Sequence, residues 1–374
     1  MRHNARRLQE RAEPAALMAV VKADAYGHGA LPVVRALRKE GVRHFAVARP
    51  AEGQALRDAG IDDSILVLGA PLRSQLPTYA AYDLDVTIPS ADVAEAVVEV
   101  GSASAPLRAH VKIDTGMGRL GLPPDAAAPV VRQLADRDEV VLEGIWTHFA
   151  TADDPESTFA GVQLDRFEDA LAALDSIPAC IHAANTGALL TLNGRLGELS
   201  AGLVRSGIAL YGLAATEELA DEIDLRPALT LSARVTQVKT VAEGTSISYG
   251  ATWTAPAPAR IATLGVGYGD GYPRLGSGRA TVSIGGQCRP VVGTICMDMC
   301  MVHLGAPDDP LARRIEVGDE AVLFGPNGPS AYDVARWAET IPYEICCGIS
   351  PRVPRRYVDS RGETPPEAPS SPTL

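Results

Sequence analysis

Cysteine is scarce in this chain of 374 residues: there are six, Cys180, Cys288, Cys296, Cys300, Cys346 and Cys347. None forms a C-x-x-C pair, which argues against a disulfide framework and against a zinc site. Cys296 and Cys300 flank Met-Asp-Met, with His303 close by. In a strand the two cysteines share one face and read as small buried hydrophobes, so no metal is expected. Long apolar runs are missing too. None approaches the roughly 18 residues of a membrane span, and the Arg-rich start has no apolar signal-peptide core. A reduced, cytoplasmic protein without membrane contact is expected. Positive charge is short: 34 Lys and Arg against 46 Asp and Glu leave a net charge of −12, which disfavours nucleic acid and anionic lipid as partners. The stretch from Gly265 to Arg274 is glycine-rich but lacks the G-x-G-x-x-G spacing, and no helix follows it. A dinucleotide site is rejected there in favour of a loop that allows close backbone approach.

What is present is a rhythm. The length points to two domains, and 46% hydrophobic residues are enough to fill their cores. After a charged helix within residues 1–16, apolar runs recur near 18–21, 44–47, 65–68, 84–88, 109–113, 140–146, 179–182 and 203–210. Amphipathic stretches at 31–40, 51–59, 90–100, 126–137 and 163–174 lie between them. Strand then helix, eight times, predicts an α/β fold with a (β/α)8 TIM-type barrel over residues 1–224, rather than an open doubly wound sheet. From Pro227 the pattern changes to short strands and turns, near 229–239, 245–249, 260–266, 280–284, 291–294, 299–304 and 320–323, with one helix near 330–340. This is a separate all-β domain, over 225–357. Residues 358–374 are rich in Pro, Ser and Glu and read as a disordered tail.

A barrel carries its chemistry at the C-terminal ends of its strands. Lys22 ends the first apolar run, where partial desolvation favours the neutral amine that can attack a carbonyl; a solvated lysine in an ordinary loop is the competing reading. Lys112 and Asp114 end the fifth run, Thr147 and His148 the sixth. Asn185 and Thr186 follow the seventh, Arg205, Ser206 and Gly207 lie at the eighth, and Arg119 joins the same rim. Loops after strands seven and eight often cradle phosphate, and Thr186-Gly187 and Ser206-Gly207-Ile208 supply a hydroxyl and exposed amides there. A nucleophilic lysine beside a phosphate cradle suits pyridoxal phosphate. It suits a sugar-phosphate aldolase equally well.

Nine motifs, in order along the chain, separate the two. They are Val20-Val-Lys-Ala-Asp-Ala-Tyr-Gly-His-Gly29, Lys112-Ile-Asp-Thr-Gly-Met-Gly-Arg-Leu-Gly121, Trp146-Thr-His148, His182-Ala-Ala-Asn185 and Val204-Arg-Ser-Gly-Ile208. Then come Ser248-Tyr-Gly-Ala-Thr252, Gly267-Tyr-Gly-Asp-Gly-Tyr-Pro-Arg274, Cys296-Met-Asp298 and Ile349-Ser-Pro-Arg-Val-Pro354. With these the chain resembles the bacterial alanine racemases from residue 4 to about 357. The resemblance implies a pyridoxal 5'-phosphate-dependent isomerase acting on alanine. It also implies a homodimer with shared sites and a role in supplying D-alanine for peptidoglycan. Lys22 matches the lysine that binds the cofactor as a Schiff base and serves one face of the substrate. Tyr249 matches the tyrosine serving the other face, donated by the second subunit. Arg205 matches the arginine at the pyridine nitrogen and His148 the histidine supporting it. Arg119 matches the arginine near the phenolic oxygen, and Lys112 a lysine that is carbamylated in some members and props that arginine. Tyr26, Thr186, Gly207 and Ile208 match phosphate-contacting positions, and Asn185 joins that cofactor-binding set. Tyr268, Met297 and Asp298, with Arg274 in support, match positions lining substrate entry.

The sequence departs from the family in two places. The short N-terminal strand that usually joins the β domain is missing before Asn4, so that domain is expected to lack an edge strand. Pro351 also stands where many members carry a phosphate-touching tyrosine. A broader-range racemase or a decarboxylase of the same fold is the nearest alternative, and a non-catalytic pyridoxal-phosphate carrier the more distant one. The Ser248-Tyr-Gly-Ala motif speaks against the decarboxylase and the β domain against the carrier.

Overall fold

The computed structural model describes residues 1–192, 195 and 202–358. They form two compact units, Met1–Tyr26 with Val33–Ala228, and Gly27–Pro32 with the chain from Leu229 onward. Of the expected tail, residues 359–374 lie outside the described residues.

The first unit carries eight parallel strands: β1 (Ala16–Val20), β2 (His44–Val47), β3 (Ser64–Val67), β4 (Asp85–Ile88), β5 (Leu107–Lys112), β6 (Val140–Trp146), β7 (Cys180–His182) and β8 (Leu203–Ser206). Hydrogen-bonded neighbours run β7-β6-β5-β4-β3-β2-β1-β8. The two ends also approach each other. Arg205 N–H donates to the Ala184 carbonyl at 3.0 Å, and a Cβ added to Gly202 would stand 2.2 Å from the Ile181 oxygen. The result is a near-closed (β/α)8 barrel. Its strands are covered on both faces, which is why they appear in the sequence as continuous apolar runs. Helices Pro50–Asp58, Ala91–Val100, Ala127–Ala135 and Phe159–Ala172 fall where the amphipathic stretches predict. In Ala127–Ala135 the buried positions are Ala127, Val130, Val131 and Leu134, the spacing of one helical face. Helices Leu76–Ala81 and Thr186–Thr191 were not anticipated, because six residues are too few to display a 3.6-residue period.

The N-terminal helix Arg2–Ala12 is fastened by one buried side chain. Asn4 Nδ2 donates to the carbonyls of Leu210 at 3.0 Å and Arg226 at 2.8 Å, and its Oδ1 accepts from Arg226 N–H at 2.8 Å. Asn4→Ala would leave buried backbone groups unpaired, at about 1–3 kcal/mol each. A loss of about 3 kcal/mol is expected in denaturant melts. An unchanged midpoint would mean that water replaces the amide.

In the second unit six antiparallel strands close a barrel in the order β12-β15-β14-β13-β16-β9. They are β9 (Leu231–Val241), β12 (Ala259–Leu264), β13 (Thr281–Ile284), β14 (Gln287–Val292), β15 (Cys300–Gly305) and β16 (Glu320–Phe324), with β10 (Ser246–Ile247) and β11 (Trp253–Thr254) forming a small ribbon. The barrel closes with these six strands. Val241, Ile247, Ile261, Val292 and Met301 fill one core cluster.

Several sequence expectations need correction in this unit. The strand expected over 245–249 ends at Ile247, and Tyr249 sits in a turn where Ser248, Gly250 and Ala251 have φ of 69, 75 and 47°. β14 begins at Gln287, ahead of Pro290 and of the strand expected near 291–294. The strand tolerates Pro290 because it pairs with Thr281 on one side, while pairing to β15 starts only at Val291. Cys296 precedes β15 rather than sharing a strand face with Cys300. Helices Pro310–Arg314 and Pro342–Cys347 accompany the expected one, Ala331–Trp337. Glycines 267 and 271 do mark close backbone approaches. A Cβ on either would lie 2.2 Å from a carbonyl oxygen, that of Cys296 or Gly348.

Candidate active site

Lys22 stands two residues beyond β1, half-buried. The chain then turns left-handed: Ala23, Asp24 and Ala25 have φ of 51, 52 and 54°, and Tyr26 follows at 54°. Each such residue costs about 1–2 kcal/mol, so the run has to be held by its neighbours. Ala25 N–H donates to the Val21 carbonyl at 2.9 Å, and Ala23 N–H to Glu52 Oε1 at 2.6 Å. The other Glu52 oxygen accepts from Ala48 and Arg49 N–H at 2.7 and 3.0 Å. Glu52 thereby ties the lysine turn to the start of the helix Pro50–Asp58. Nothing in Lys-Ala-Asp-Ala-Tyr signals the handedness, and Glu52 carries no motif.

Tyr26 is buried, its ring 4.8 Å from that of Tyr211. Tyr211 donates its hydroxyl to the Val20 carbonyl at 2.9 Å. Gly207 lies against Tyr26 so closely that a Cβ would stand 2.5 Å from the Tyr26 hydroxyl oxygen. Gly207 N–H donates to Thr186 Oγ1 at 3.2 Å, and that hydroxyl lies 3.4 Å from Ser206 Oγ. Asn185 caps the helix Thr186–Thr191, its Oδ1 accepting from Ala188 N–H at 2.9 Å. Ile208, next to Gly207, is fully buried. Tyr26, Asn185, Thr186, Gly207 and Ile208 therefore meet at the ends of β1, β7 and β8. Ser206 and Tyr211 complete the group.

Arg205 is buried in β8. Its guanidinium donates to the carbonyls of Thr147 at 2.7 Å, Ala183 at 3.1 Å and His182, and to Nδ1 of His182 at 3.0 Å and of His148 at 3.4 Å. Burial lowers its pKa to about 9, with Arg119 adding to the effect, which still leaves it charged at neutral pH. Lys112, also buried, donates to the Leu120 carbonyl at 2.8 Å. Burial first, and then Arg205 and Arg119, bring its pKa down to about 8. Both cations lie over the Trp146 ring, at 4.7 Å (Arg205) and 4.8 Å (Lys112). Asp114 directs its carboxylate to Gly116 and Gly118 N–H at 3.0 and 3.1 Å, shaping the loop that carries the exposed Arg119. His148 is held well below its ordinary pKa by burial, then by Arg205, Arg119, Lys112 and Lys22. This rim gathers positive charge and suits an anionic ligand.

The buried imidazoles have a consequence for stability. His110 and His182 are also held low by burial, His110 at about 4. The unfolded chain takes up protons below pH ~6.5 that these folded rings refuse, so their stabilisation is complete above that pH and is lost as pH falls. Each enclosed ring contributes a slope of about 1.4 kcal/mol per pH unit. The melting temperature is expected to fall steeply between pH 6.5 and 4 in calorimetry. A flat profile would contradict neutral burial.

The second unit presents its own set. Tyr249 is 74% exposed, and its carbonyl accepts from Thr294 Oγ1 at 2.9 Å. Ser248 donates to the Thr294 carbonyl at 2.5 Å. Tyr268 N–H donates to the Cys296 carbonyl at 3.0 Å and Gly269 N–H to that of Met297 at 2.8 Å. Arg352, to which the sequence assigned no role, bridges Asp270 at 2.7 Å and Asp298 at 2.8 Å. Tyr249, Tyr268, Met297 and Asp298 thus occupy neighbouring loops with exposed aromatic and thioether groups. Arg274 opens the following turn, Arg274–Gly276, with its side chain exposed, and Pro351 is exposed beside Arg352.

Comparison with known proteins gives a consistent result. Residues 1–215 match the family model described as alanine racemase, N-terminal domain, and residues 228–357 that described as alanine racemase, C-terminal domain. The chain is 44% identical over 364 residues to an alanine racemase of Symbiobacterium thermophilum, covering 96% of this chain and 94% of that protein. It is 40% identical over 353 residues to one of Halothermothrix orenii, covering 92% and 91%. The crystal structure of alanine racemase from D-cycloserine-producing Streptomyces lavendulae superposes with a TM-score of 0.87 at 38% identity, over 96% of this chain and 94% of that one.

Proposed function

Because the chain belongs to the alanine racemase family, we propose that it interconverts L- and D-alanine with pyridoxal 5'-phosphate, Lys22 serving one face of the substrate and Tyr249 the other. The rim fits that cofactor in two respects: its cations suit a phosphate, and Tyr26, Thr186 and Gly207 form a polar cradle in which the missing side chain of Gly207 admits the Tyr26 hydroxyl. This cradle, next to Lys22 on a cationic rim, is the observation that carries the proposal. When bound, pyridoxal phosphate supplies an electron-withdrawing ring that makes the α-proton of an amino acid acidic.

The protein's own groups do the rest. Tyr26, Asn185, Thr186, Gly207 and Ile208 hold the phosphate through amides and hydroxyls. Arg205 faces the ring nitrogen as a donor that does not give up its proton, which limits how far negative charge accumulates on the ring. His148 supports it. Arg119 orients the phenolic oxygen and the substrate carboxylate, and Lys112 props Arg119. A Lys112 pKa of about 8 leaves part of the amine neutral and open to carbamylation. Racemisation removes a proton from one face and returns it on the other, so two acid/base groups are required, the Lys22 amine and the Tyr249 hydroxyl. Tyr268, Met297, Asp298 and Arg274 line substrate entry.

Residues 1–224 act as the cofactor-binding domain and 225–357 as the domain supplying Tyr249. The working form is a homodimer in which each Tyr249, exposed on its own unit, serves the partner's lysine. The enzyme works in the cytoplasm, supplying D-alanine for peptidoglycan. The test is attachment. After loading with pyridoxal phosphate and reduction with borohydride, peptide mapping is expected to find the label on Lys22, one of four lysines with Lys39, Lys112 and Lys239. A label on Lys112, or none, would refute the assignment.

A further inference from the structure

The interior of the first barrel holds a row of polar side chains that the proposed chemistry leaves unused. His110 on β5 and His182 on β7 are both buried. His110 Nδ1 lies 3.0 Å from His182 Nε2, and the rings meet edge to face at 83°. His182 Nδ1 lies 3.0 Å from Nη1 of Arg205. At the other end Asp85, on β4 and also buried, places Oδ2 3.9 Å from His110 Nε2. Asp85 accepts from Arg108 Nε at 2.7 Å and from Ser64 Oγ at 2.8 Å.

One chemical fact sets every proton in this row. A guanidinium only donates, so His182 Nδ1 has to accept. The neutral ring then carries its proton on Nε2 and donates it to His110 Nδ1. With Nδ1 accepting, His110 keeps its own proton on Nε2, facing the Asp85 carboxylate. A proton on His182 Nδ1, in the other tautomer or in the cation, would point at an N–H of Arg205. Burial is the main reason both rings stay neutral, and the positive charge of Arg205 adds to it.

The sequence makes room for this row. His110 sits opposite Gly144 at a register shift between β5 and β6, and a Cβ on Gly144 would stand 2.5 Å from His110 Nδ1. Trp146 stacks on His182 with centroids 5.6 Å apart and planes 10° from parallel.

We propose that His110 is a positioning residue for Arg205: by accepting from His182 Nε2 it holds that ring in the tautomer and orientation the guanidinium requires, in a row that ends at the Asp85–Arg108 pair. Among the described residues Arg205 forms no ion pair of its own, and the row ends at Asp85, which is paired with Arg108. The functional side of this proposal rests on the reading that Arg205 faces the cofactor ring. Without His110, the His182 Nε2–H loses its acceptor, and the ring that accepts from Arg205 is no longer held in place.

The tautomers can be read directly. The chain has seven histidines, and selective ¹⁵N labelling of the cofactor-loaded protein, assigned with His110→Asn and His182→Asn, reports the proton on each ring nitrogen. The groups facing the pair are Asp85 on β4, His44 on β2, Arg108 on β5 and Arg205 on β8. Both rings are expected as Nε2–H and neutral from pH 8 to 5. In the same holoenzyme His110→Leu and Gly144→Ala are expected to lower kcat on the order of 10- to 100-fold, with KM for alanine little changed. His110→Asn, whose amide oxygen can accept from His182 in place of Nδ1, is expected to retain most of kcat. A proton on Nδ1 of either ring overturns the proposal, as does a folded His110→Leu enzyme with parental kcat. If His110→Leu does not fold, Gly144→Ala and the tautomers decide. Absence of racemisation in the parent would overturn the proposed function and leave the tautomer result standing.

Discussion

Lys22→Ala is expected to lower racemisation by about 10⁴-fold or more, since the substitution removes both an acid/base group and the cofactor's point of attachment. The fold should tolerate it. The left-handed turn after Lys22 is held by backbone N–H groups of Ala23 and Ala25, donating to Glu52 and Val21. Melting temperature is therefore expected to stay close to that of the parent. D-alanine formation from L-alanine measures the loss, and a small primary amine added to the assay is expected to restore part of the rate. A variant keeping more than about a tenth of parental activity would place the base elsewhere.

Tyr249→Phe is expected to act differently, because it removes one acid/base group and leaves the other. Racemisation should fall by about 10²- to 10⁴-fold, the usual contribution of a positioned proton donor. Tyr249 is largely exposed, and its fixed contact, the bond from Thr294 to its carbonyl, involves backbone that phenylalanine retains. Stability and cofactor content should not change. In deuterated water the variant should still exchange the α-proton of one enantiomer, through Lys22, without converting it to the other. Loss of exchange from both enantiomers would mean that the tyrosine does more than serve one face. Undiminished racemisation would remove it from the mechanism.

The barrel was legible because its strands are buried on both faces and stop at chemically distinct residues. Lys22, Lys112, His148, Asn185 and Arg205 each follow or end an apolar run, and all of them lie on one rim. What escaped the sequence was local geometry without a compositional mark. The left-handed run from Ala23 to Tyr26 uses residues that favour an ordinary helix, and tertiary contacts from Glu52 override that preference. Tyr249 looks like a strand end because Ile247 and Tyr249 alternate, yet left-handed residues on either side lift it into a turn. The strand expected near 291–294 reaches back through Pro290, because pairing there is one-sided. His110, Gly144 and Asp85 are far apart in the chain, and the pairing of β4, β5 and β6 brings them together. Arg352 lies in a recognisable motif, but its two carboxylate partners, Asp270 and Asp298, come from separate loops.

The most direct test of the account is the fate of optical activity. The protein loaded with pyridoxal phosphate is mixed with pure L-alanine and the circular dichroism of the amino acid is followed, with Lys22→Ala as the control. The signal is expected to decay to zero, with equal amounts of the two enantiomers at the end and no decay in the control. A signal that holds steady in the presence of bound cofactor would contradict the proposed racemisation.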